Sequence, residues 1–350
     1  MTQSIKLICA FAILVLPFAT HANTYYNCAN SSGCKPISSI KPTSTYTKSQ
    51  YPVVLQHGLG GWTKLFWSID YFHGIPQELM AGGSEVYATK VSAINDTRYR
   101  GEQLLQQVKT IRAITGKDKV NLIGHSHGGI DIRYVAGVAP EYVASVTAVS
   151  SPEQGSKMAD WTIKMVTEGS AKDGLPKGEF NTGSKMALAF FKFVGGFMDI
   201  GSGISLDSLH EQDGWKAVTA LSTDYATQFN HEFPAAMPTR YCGHPPTDYK
   251  IDGVRYYSFS GVGTITNGFD PSDYILALTG KSFGKDANDG LVSACSSRLG
   301  HVIRDDYKMN HLDAVNQILG ITAWGEVSPI GLYRMQVNRL VQEERHHRPI

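Results

Sequence analysis

Gly124-His125-Ser126-His127-Gly128 lies between an apolar run typical of a buried strand, residues 120–123, and a helix-compatible stretch, residues 129–134. In this order of strand, Gly-x-Ser-x-Gly and helix, the pentapeptide predicts a nucleophile elbow, a sharp turn that lifts a serine hydroxyl clear of the sheet. Only glycine fits at the two flanks of so tight a turn. We therefore predict that Ser126 is a catalytic nucleophile. The alternative is an ordinary strand-to-helix turn with an incidental serine.

Strand-like and helix-like patterns alternate along much of the chain. Strand patterns cover residues 52–56, 86–89, 143–149 and 254–259, and a helical pattern of apolar residues covers 101–115. Such alternation is typical of an α/β protein with a mostly parallel central sheet and helices on both faces. Together with the elbow, it predicts an α/β-hydrolase fold.

The alternation is interrupted between residues 160 and 209. An apolar helical face in this segment carries Met186, Phe190, Phe193, Val194 and Phe197. An insertion just after the strand-helix unit of the nucleophile is where a cap over the active site would lie. We therefore predict a helical cap or lid at about 160–209, which would open at a lipid surface. The alternative is a helix that packs in the core.

The N-terminus has the pattern of a secretory signal. Lys6 precedes an apolar run over residues 7–18, and small residues follow up to Ala22. We predict a signal peptide over 1–22 with cleavage near Ala22, because the run is short for a membrane span. A retained anchor is the alternative. Residues 23–50 are then an N-terminal extension that ends in a surface connection over 38–50, and residues 51–350 form a single catalytic domain.

Four cysteines lie beyond the predicted signal: Cys28, Cys34, Cys242 and Cys295. An even number in an exported protein predicts two disulfides. Cys28 and Cys34 enclose a small polar loop, so we pair them with each other and Cys242 with Cys295. A zinc site is the competing interpretation, but no second Cys or His lies at finger spacing.

Composition excludes one class of partner. The formal net charge of +1 gives neither a basic field for nucleic acid nor an acidic tail. The length of 350 residues and the hydrophobic content of 42% support a full-sized core, in one large domain or two.

A serine nucleophile needs an imidazole to take its proton and a carboxylate to orient that imidazole. On this fold the chain order is serine, acid, histidine, which leaves His301 and His311 near the core as candidates for the base. We prefer His311, which lies in a compact polar turn before a helical run. For the acid we prefer Asp289, between a polar loop and a glycine. The competing aspartates are Asp270, Asp273 and Asp286.

An oxyanion hole needs two backbone N–H donors aimed at one point. The first belongs to His127, the residue after the nucleophile. The glycine-rich segment 56–61 allows close approach of backbone to substrate, and we choose the Leu59 N–H as the second donor. We expect His57 and His125 to shape these loops through hydrogen bonds rather than to act as bases.

Several motifs carry a family resemblance: residues 56–58, 100–104, 120–129, 270–273, 288–292, 295–297 and 307–313. With these motifs the chain resembles the secreted bacterial triacylglycerol lipases of the Pseudomonas–Burkholderia group. The similarity runs from about residue 51 to the C-terminal region and is weakest in the cap. It implies hydrolysis of lipid esters through an acyl-enzyme, with Ser126, Asp289 and His311 as the triad. A carboxylesterase of soluble short-chain esters and a non-catalytic lipid-binding protein are the alternatives.

The resemblance also implies one structural Ca²⁺. Its ligands would be the carboxylates of Asp270 and Asp313 and the backbone carbonyls of Gln317 and Ile321. Oxygen ligands and two formal negative charges suit a hard divalent cation. Because Asp313 is two residues from His311, the ion would hold the turn that carries the base, without a Lewis-acid role. Acidic residues without a metal are the alternative.

The remaining implications concern the cell. The resemblance places a disulfide on Cys242 and Cys295, in agreement with the pairing above. It implies an extracellular enzyme that passes through the periplasm, needs a dedicated membrane-tethered foldase and secretion machinery, and meets its substrate at an oil–water interface. Residues 151–156 depart from the residues usual after that strand.

Overall fold

The computed structural model describes residues 22–30, 33–65, 68–172, 181, 184–185, 195–196, 198–202, 204 and 208–346. The predicted signal peptide up to residue 21 lies outside this range. Among the described helices, none combines the length and the apolar character needed to cross a bilayer.

Eleven strands are described. They are β1 (Asn23–Asn30), β2 (Gly33–Ile40), β3 (Val53–Gln56), β4 (Lys64–Leu65), β5 (Ile69–Asp70), β6 (Val86–Thr89), β7 (Val120–His125), β8 (Val143–Val149), β9 (Lys250–Ile251), β10 (Val254–Gly261) and β11 (His301–Tyr307). The predicted strand patterns coincide with β3, β6, β8 and β10 to within two residues at either end.

The main helices alternate with these strands. They are α1 (Ile75–Ala81), α2 (Thr97–Thr115), α3 (His127–Val138), α4 (Lys157–Lys172), α5 (Gly214–Thr219), α6 (Thr223–Glu232), α7 (Pro271–Gly280) and α8 (Pro329–His346). Asp96 caps α2, because its side chain accepts hydrogen bonds from the Arg98 and Tyr99 amides.

The central sheet has nine strands in the described residues, in the order β11-β10-β8-β7-β3-β6-β1-β2, with β9 on β10. Its pairs are parallel except at β1–β2 and β9–β10. Successive residues of a strand face opposite sides, so Val54 packs with α2 and α3 while Val53 and Leu55 pack with α1 and α8. The predicted α/β fold with helices on both faces of a mostly parallel sheet is confirmed.

The N-terminal extension enters this sheet. β1 pairs in parallel with β6, and Tyr25 is buried in the core beneath α1. β2 runs to Ile40, so the predicted surface connection begins three residues later than expected. We did not predict these two strands from the sequence, because their composition is polar. The domain boundary at residue 51 stays a prediction.

Both predicted disulfides are present. Cys28 is bonded to Cys34 and closes the β1–β2 hairpin, with Cys28 buried among core residues. Cys242 is bonded to Cys295 across a sequence separation of 53 residues. The second bond therefore ties the segment after α6 to the turn region that precedes β11.

A buried ion pair ties the predicted cap to the sheet. Lys90 follows β6 directly, and its Nζ lies 2.6 Å from Oδ1 of Asp199, with both side chains fully buried. The other carboxylate oxygen of Asp199 accepts hydrogen bonds from the His210 amide and from Nε2 of Gln212, each at 2.9 Å. The charge of Asp199 is therefore compensated on both oxygens, although the pair is removed from water.

Lys90→Met should destabilise the protein, because it removes the buried ammonium from Oδ1 of Asp199 and leaves that carboxylate only its contacts with His210 and Gln212. Removal of one partner of a buried pair typically costs about 3–5 kcal/mol in the free energy of unfolding. Urea denaturation measures this loss. Adding Asp199→Asn to Lys90→Met should restore part of the stability. Arg98→Met, which breaks an exposed ion pair with Glu232, is the matched control and should leave the midpoint nearly unchanged. A Lys90→Met midpoint equal to that of the control would contradict the assignment.

Candidate active site

Ser126 stands at the turn between β7 and α3. Its backbone has φ 56° and ψ −130°, a conformation that a residue with a side chain rarely adopts. A Cβ on Gly124 would collide with the Gly128 carbonyl, and a Cβ on Gly128 would lie 2.5 Å from the Gln56 oxygen. Glycine is thus required at both flanks of the serine. The amide of Ser126 donates to the Val149 carbonyl at 2.9 Å and anchors the turn to β8.

The structure brings Asp289 and His311 together. Oδ2 of Asp289 lies 2.8 Å from Nδ1 of His311, and the His311 amide donates to the Asp289 carbonyl at 2.9 Å. Oδ1 of Asp289 accepts from the amides of Leu291 and Val292, at 3.0 and 2.8 Å. With both residues buried, the carboxylate is fixed in orientation. A carboxylate at Nδ1 holds the proton there, so Nε2 is left as the acceptor of the ring.

The other candidates for base and acid have different partners. His301 is exposed at the start of β11, and its ring packs against Tyr249 and Tyr257. The carboxylate of Asp286 forms an ion pair with Lys157 at 2.7 Å. Within the described part of the chain, Asp289 alone has a carboxylate within hydrogen-bond distance of the His311 ring.

Tyr71 links three parts of the site, and no pattern in the sequence pointed to it. Its hydroxyl accepts the Gly58 amide at 3.1 Å and therefore turns its own proton to Nδ1 of His125, at 2.7 Å. Nε2 of His125 then carries the ring proton and donates to the His311 carbonyl at 3.0 Å. Burial, together with the neighbouring His311, lowers the pKa of His125 well below its usual range. His125 thus links these loops through hydrogen bonds at both ring nitrogens, in line with the predicted structural role.

The glycine-rich loop after β3 is held from beneath by a buried arginine. Nη2 of Arg100 donates to Asp131 at 2.7 Å and to the His57 carbonyl at 2.9 Å. His57 itself donates from Nδ1 to the Gly58 carbonyl at 2.8 Å and accepts the Val91 amide at Nε2. The Arg100–Asp131 ion pair is fully buried, so the network fixes this loop at its base.

The two predicted oxyanion donors are the backbone amides of Leu59 and His127. The Gly58 carbonyl accepts hydrogen bonds from Arg100 and His57. Because the peptide between Gly58 and Leu59 is trans, the Leu59 N–H points in the opposite direction. The His127 N–H belongs to the first turn of α3, where helix amides lack internal acceptors. Neither amide hydrogen-bonds another group in the described part of the chain. A Cβ on Gly58 would lie 2.8 Å from Cβ of Ser126, so this loop packs directly on the predicted nucleophile.

Ser126, His311 and Leu59 line one cavity of about 420 Å³. Its walls are largely apolar and come from the sheet loops and from α4 and α5. Wall residues include Trp62, Ile94, Met158, Ala159, Ala217, Val218, Leu221, Leu291, Val292 and Ile318. An apolar cavity with a few polar groups at one place is the usual form of a small-molecule site. Its lining suits an apolar ligand group.

Only part of the predicted cap is described. α4 begins it, and Met158, Ala159 and Thr162 on this helix line the cavity. Trp161 and Met165 lie on its exposed side. The apolar helical face predicted at Met186, Phe190, Phe193, Val194 and Phe197 falls outside the described residues. Opening of the cap at a lipid surface stays a prediction.

Two of the predicted calcium ligands, Asp270 and Asp313, both accept hydrogen bonds from Asn310. Its side-chain Nδ2 donates to Oδ2 of Asp270 at 3.3 Å, and its amide donates to Oδ2 of Asp313 at 3.0 Å. Oδ1 of Asp313 is buried, and no group of the described residues donates a hydrogen bond to it. The carbonyl oxygens of Gln317 and Ile321 accept no hydrogen bond from the described residues. The donor set therefore has unused oxygen atoms.

Negative charge at this place is uncompensated. Burial, together with the Asp270 and Asp273 carboxylates, raises the pKa of Asp313 to about 7. No lysine or arginine in the described part of the chain forms an ion pair with these three aspartates. The described residues hold no cluster of three or more His, Cys, Asp or Glu suited to a metal, so a cation here would depend on carbonyl oxygens. Two carboxylates with carbonyls fit a hard cation.

Comparison with known proteins agrees with this architecture. Residues 51–177 match the family model described as alpha/beta hydrolase fold. A triacylglycerol lipase of Vibrio cholerae serotype O1 is 46% identical over 297 residues, which cover 85% of this chain and 89% of that protein. A triacylglycerol lipase of Pseudomonas fragi is 36% identical, over 83% of this chain and 96% of the relative.

A solved structure supports the fold. The crystal structure of Staphylococcus hyicus lipase superimposes with a TM-score of 0.51 at 16% identity, over 87% of this chain and 98% of that one. At this identity the likeness concerns the fold alone. The two sequence relatives exceed 30% identity over most of the chain, and they confirm the resemblance stated from the motifs. The chain therefore belongs to the family of bacterial triacylglycerol lipases with the α/β-hydrolase fold.

Proposed function

We propose that this protein is an extracellular triacylglycerol lipase that hydrolyses the carboxylic ester bonds of lipids. The observation that carries the proposal is the apolar cavity that Ser126 and His311 both line, with Asp289 bonded to the far side of the imidazole. Membership in a family whose relatives are named triacylglycerol lipases supports the substrate class.

The residues would act in two half-reactions. The Ser126 hydroxyl attacks the ester carbonyl while Nε2 of His311 takes its proton, and Asp289 stabilises the imidazolium that forms. The Leu59 and His127 amides donate to the oxyanion of the tetrahedral intermediate. His311 then protonates the departing alcohol, which leaves an acyl group on Ser126. Water, activated by the same imidazole, hydrolyses this acyl-enzyme and restores the serine.

Two substrates separate a lipase from a carboxylesterase with the same machinery. Fatty-acid release from an emulsified long-chain triacylglycerol is compared with hydrolysis of a soluble short-chain ester, using protein that has been exported and oxidised. A lipase cleaves both and gains rate when the emulsion forms. Cleavage of the soluble ester alone would assign the protein to the carboxylesterases, and cleavage of neither would support a non-catalytic lipid-binding role.

We also propose that Asp270, Asp313 and the carbonyls of Gln317 and Ile321 hold one Ca²⁺. The unpartnered Oδ1 of Asp313 and the uncompensated charge around it support this assignment. A bound ion would neutralise the charge of the Asp270 and Asp313 carboxylates and would have a structural role. The chain's own contribution is the turn from Asn310 to Asp313, which carries His311 and would be fixed at both ends.

Removal of calcium should lower the melting temperature. At a calcium concentration about a hundredfold above the dissociation constant, the expected loss on chelation is about 4 °C for a chain of this length. Asp313→Asn keeps an acceptor for the Asn310 amide but removes a charge, so its melting temperature should no longer respond to calcium. Asp286→Asn, outside this cluster, is the control and should respond like the parent. A parent protein whose melting temperature ignores chelator would remove the calcium assignment.

Export is part of the same proposal. Two disulfides are stable in an oxidising compartment, which supports passage through the periplasm and cleavage of a signal near Ala22. N-terminal sequencing of the secreted protein tests the cleavage site. Dependence on a membrane-tethered foldase and on secretion machinery rests on the family resemblance, and coexpression with and without a relative's foldase tests it.

A further inference from the structure

The surface that precedes and includes α7 has an unusual composition. Every exposed residue between positions 262 and 280 is uncharged, and most are large and apolar. These residues are Ile265, Gly268, Phe269, Pro271, Tyr274, Ile275 and Leu278. Phe269 is 80% exposed, and Tyr274, Ile275 and Leu278 are each 66–67% exposed. An exposed apolar patch of several neighbouring side chains marks an interaction surface.

The polarity of α7 is partly inverted relative to a surface helix of a soluble protein. Its buried side carries Ser272 and Asp273. Oγ of Ser272 donates to Asp270 at 2.7 Å, and Asp273 accepts the Thr266 amide at 2.7 Å. These polar groups are satisfied inside, so the helix cannot rotate to hide its apolar side without losing those bonds. Exposure of the apolar side is therefore built into the fold.

The loop over residues 319–324 extends this patch. Leu319 is 60% exposed and Trp324 is 78% exposed. Nδ2 of Asn267 donates to the Thr322 carbonyl at 3.0 Å and joins this loop to the start of α7. We call Ile265, Phe269, Tyr274, Ile275, Leu278, Leu319 and Trp324 together the α7 surface.

The α7 surface and the catalytic cavity are joined through neighbouring residues of the chain. Ile318, the neighbour of Leu319 in the chain, lines the cavity. On the other side, a Cβ on Gly290 would lie 2.6 Å from Cβ of Leu276 in α7, and the next residue, Leu291, again lines the cavity. The loop that leads into α7 also follows the carboxyl end of β10, at the same sheet edge as Ser126. Cavity and patch thus lie at the same edge of the sheet.

We propose that the α7 surface is a permanent docking site for a neutral lipid phase, independent of the movement of any cap. The proposal rests on the proposed lipase function and adds to it the means of adsorption. The exposed residues offer no charge for a complementary partner, whereas Phe269, Tyr274 and Trp324 are of the type that settles at lipid–water boundaries. Docking there would place the cavity mouth against the lipid that contains the ester.

Adsorption is tested apart from catalysis. In a Ser126→Ala background, the pair Ile275→Gln/Leu278→Gln is compared with the parent for partition onto triolein droplets, measured by flotation. The matched control is Ile114→Gln/Val138→Gln, which alters exposed apolar residues near the ends of α2 and α3, at the opposite edge of the sheet. Circular dichroism verifies folding of each protein. In enzyme that keeps Ser126, kcat/KM on a soluble short-chain ester should be the same for the parent, the Ile275→Gln/Leu278→Gln variant and the control variant.

Droplet partition should fall about tenfold for Ile275→Gln/Leu278→Gln and stay unchanged for the control. Equal partition of both variants would overturn the proposal. If the yield of folded enzyme also fell for Ile275→Gln/Leu278→Gln, the surface would be assigned to a protein partner instead. A parent that binds droplets through Ile275 and Leu278 but releases no fatty acid would support the docking surface while it refutes the lipase function.

Discussion

Ser126→Ala should lower kcat by about 10⁵–10⁶-fold on soluble and emulsified esters alike. Without the hydroxyl no acyl-enzyme can form, and His311 has no nucleophile to deprotonate. The remaining rate would come from the Leu59 and His127 amides, which still polarise the ester carbonyl for attack by water. The melting temperature should not fall. The backbone strain at φ 56° does not depend on the hydroxyl, so alanine carries the same strain as serine.

Ser156→Ala is the matched control for this substitution. Ser156 lines the same cavity, but its hydroxyl donates to the Leu291 carbonyl at 2.7 Å and has a structural partner. Its loss should change kcat only a few-fold. Single-turnover measurements with a chromogenic ester report both effects. A Ser126→Ala enzyme with a rate close to that of Ser156→Ala would exclude Ser126 as the nucleophile.

Asp289→Asn should lower kcat by about 10³–10⁴-fold while the fold is retained. The asparagine oxygen can still accept the Leu291 and Val292 amides, so the turn keeps its shape. The amide NH₂ would then face Nδ1 of His311. To accept that hydrogen bond, the imidazole must move its proton to Nε2, where it can no longer take the proton of Ser126.

Asp286→Asn provides the comparison for Asp289→Asn. Asp286 is bonded to Lys157 and Tyr241 at a partly exposed position, so its neutralisation should leave kcat nearly unchanged. Steady-state kinetics on a soluble ester, together with melting temperatures, separate a catalytic loss from a folding loss. Near-normal turnover by Asp289→Asn would move the role of acid to another residue.

Local patterns predicted the elements that carry the site. Val86–Thr89 and Val143–Val149 are strands with the predicted bounds, because short β-branched runs with turn signals at both ends leave little choice. The Gly-x-Ser-x-Gly turn could be predicted for a similar reason, since both glycines lie in one pentapeptide between a strand pattern and a helix pattern. β1 was missed because a polar sequence becomes a strand there only through its pairing with β6.

The supporting network could not be predicted in the same way. Tyr71 reaches His125 across 54 positions in the chain, and Arg100 reaches Asp131 across 31. Such pairs depend on how distant elements pack, and no periodicity records them. The same limit applies to α7, where Tyr274, Ile275 and Leu278 have the spacing of a core-facing helix side but point to solvent. Their orientation follows from the buried bonds of Asp273.

Covalent trapping identifies the nucleophile by its own chemistry. The protein is treated with a long-chain alkylphosphonate p-nitrophenyl ester, which releases p-nitrophenolate as the serine oxygen forms a bond to phosphorus. Peptide mass mapping then locates the adduct. We expect one alkylphosphonyl group per chain, on Ser126, formed much more slowly in Asp289→Asn and absent in Ser126→Ala. An adduct on a different residue, or an unmodified protein that still hydrolyses esters, would contradict this expectation.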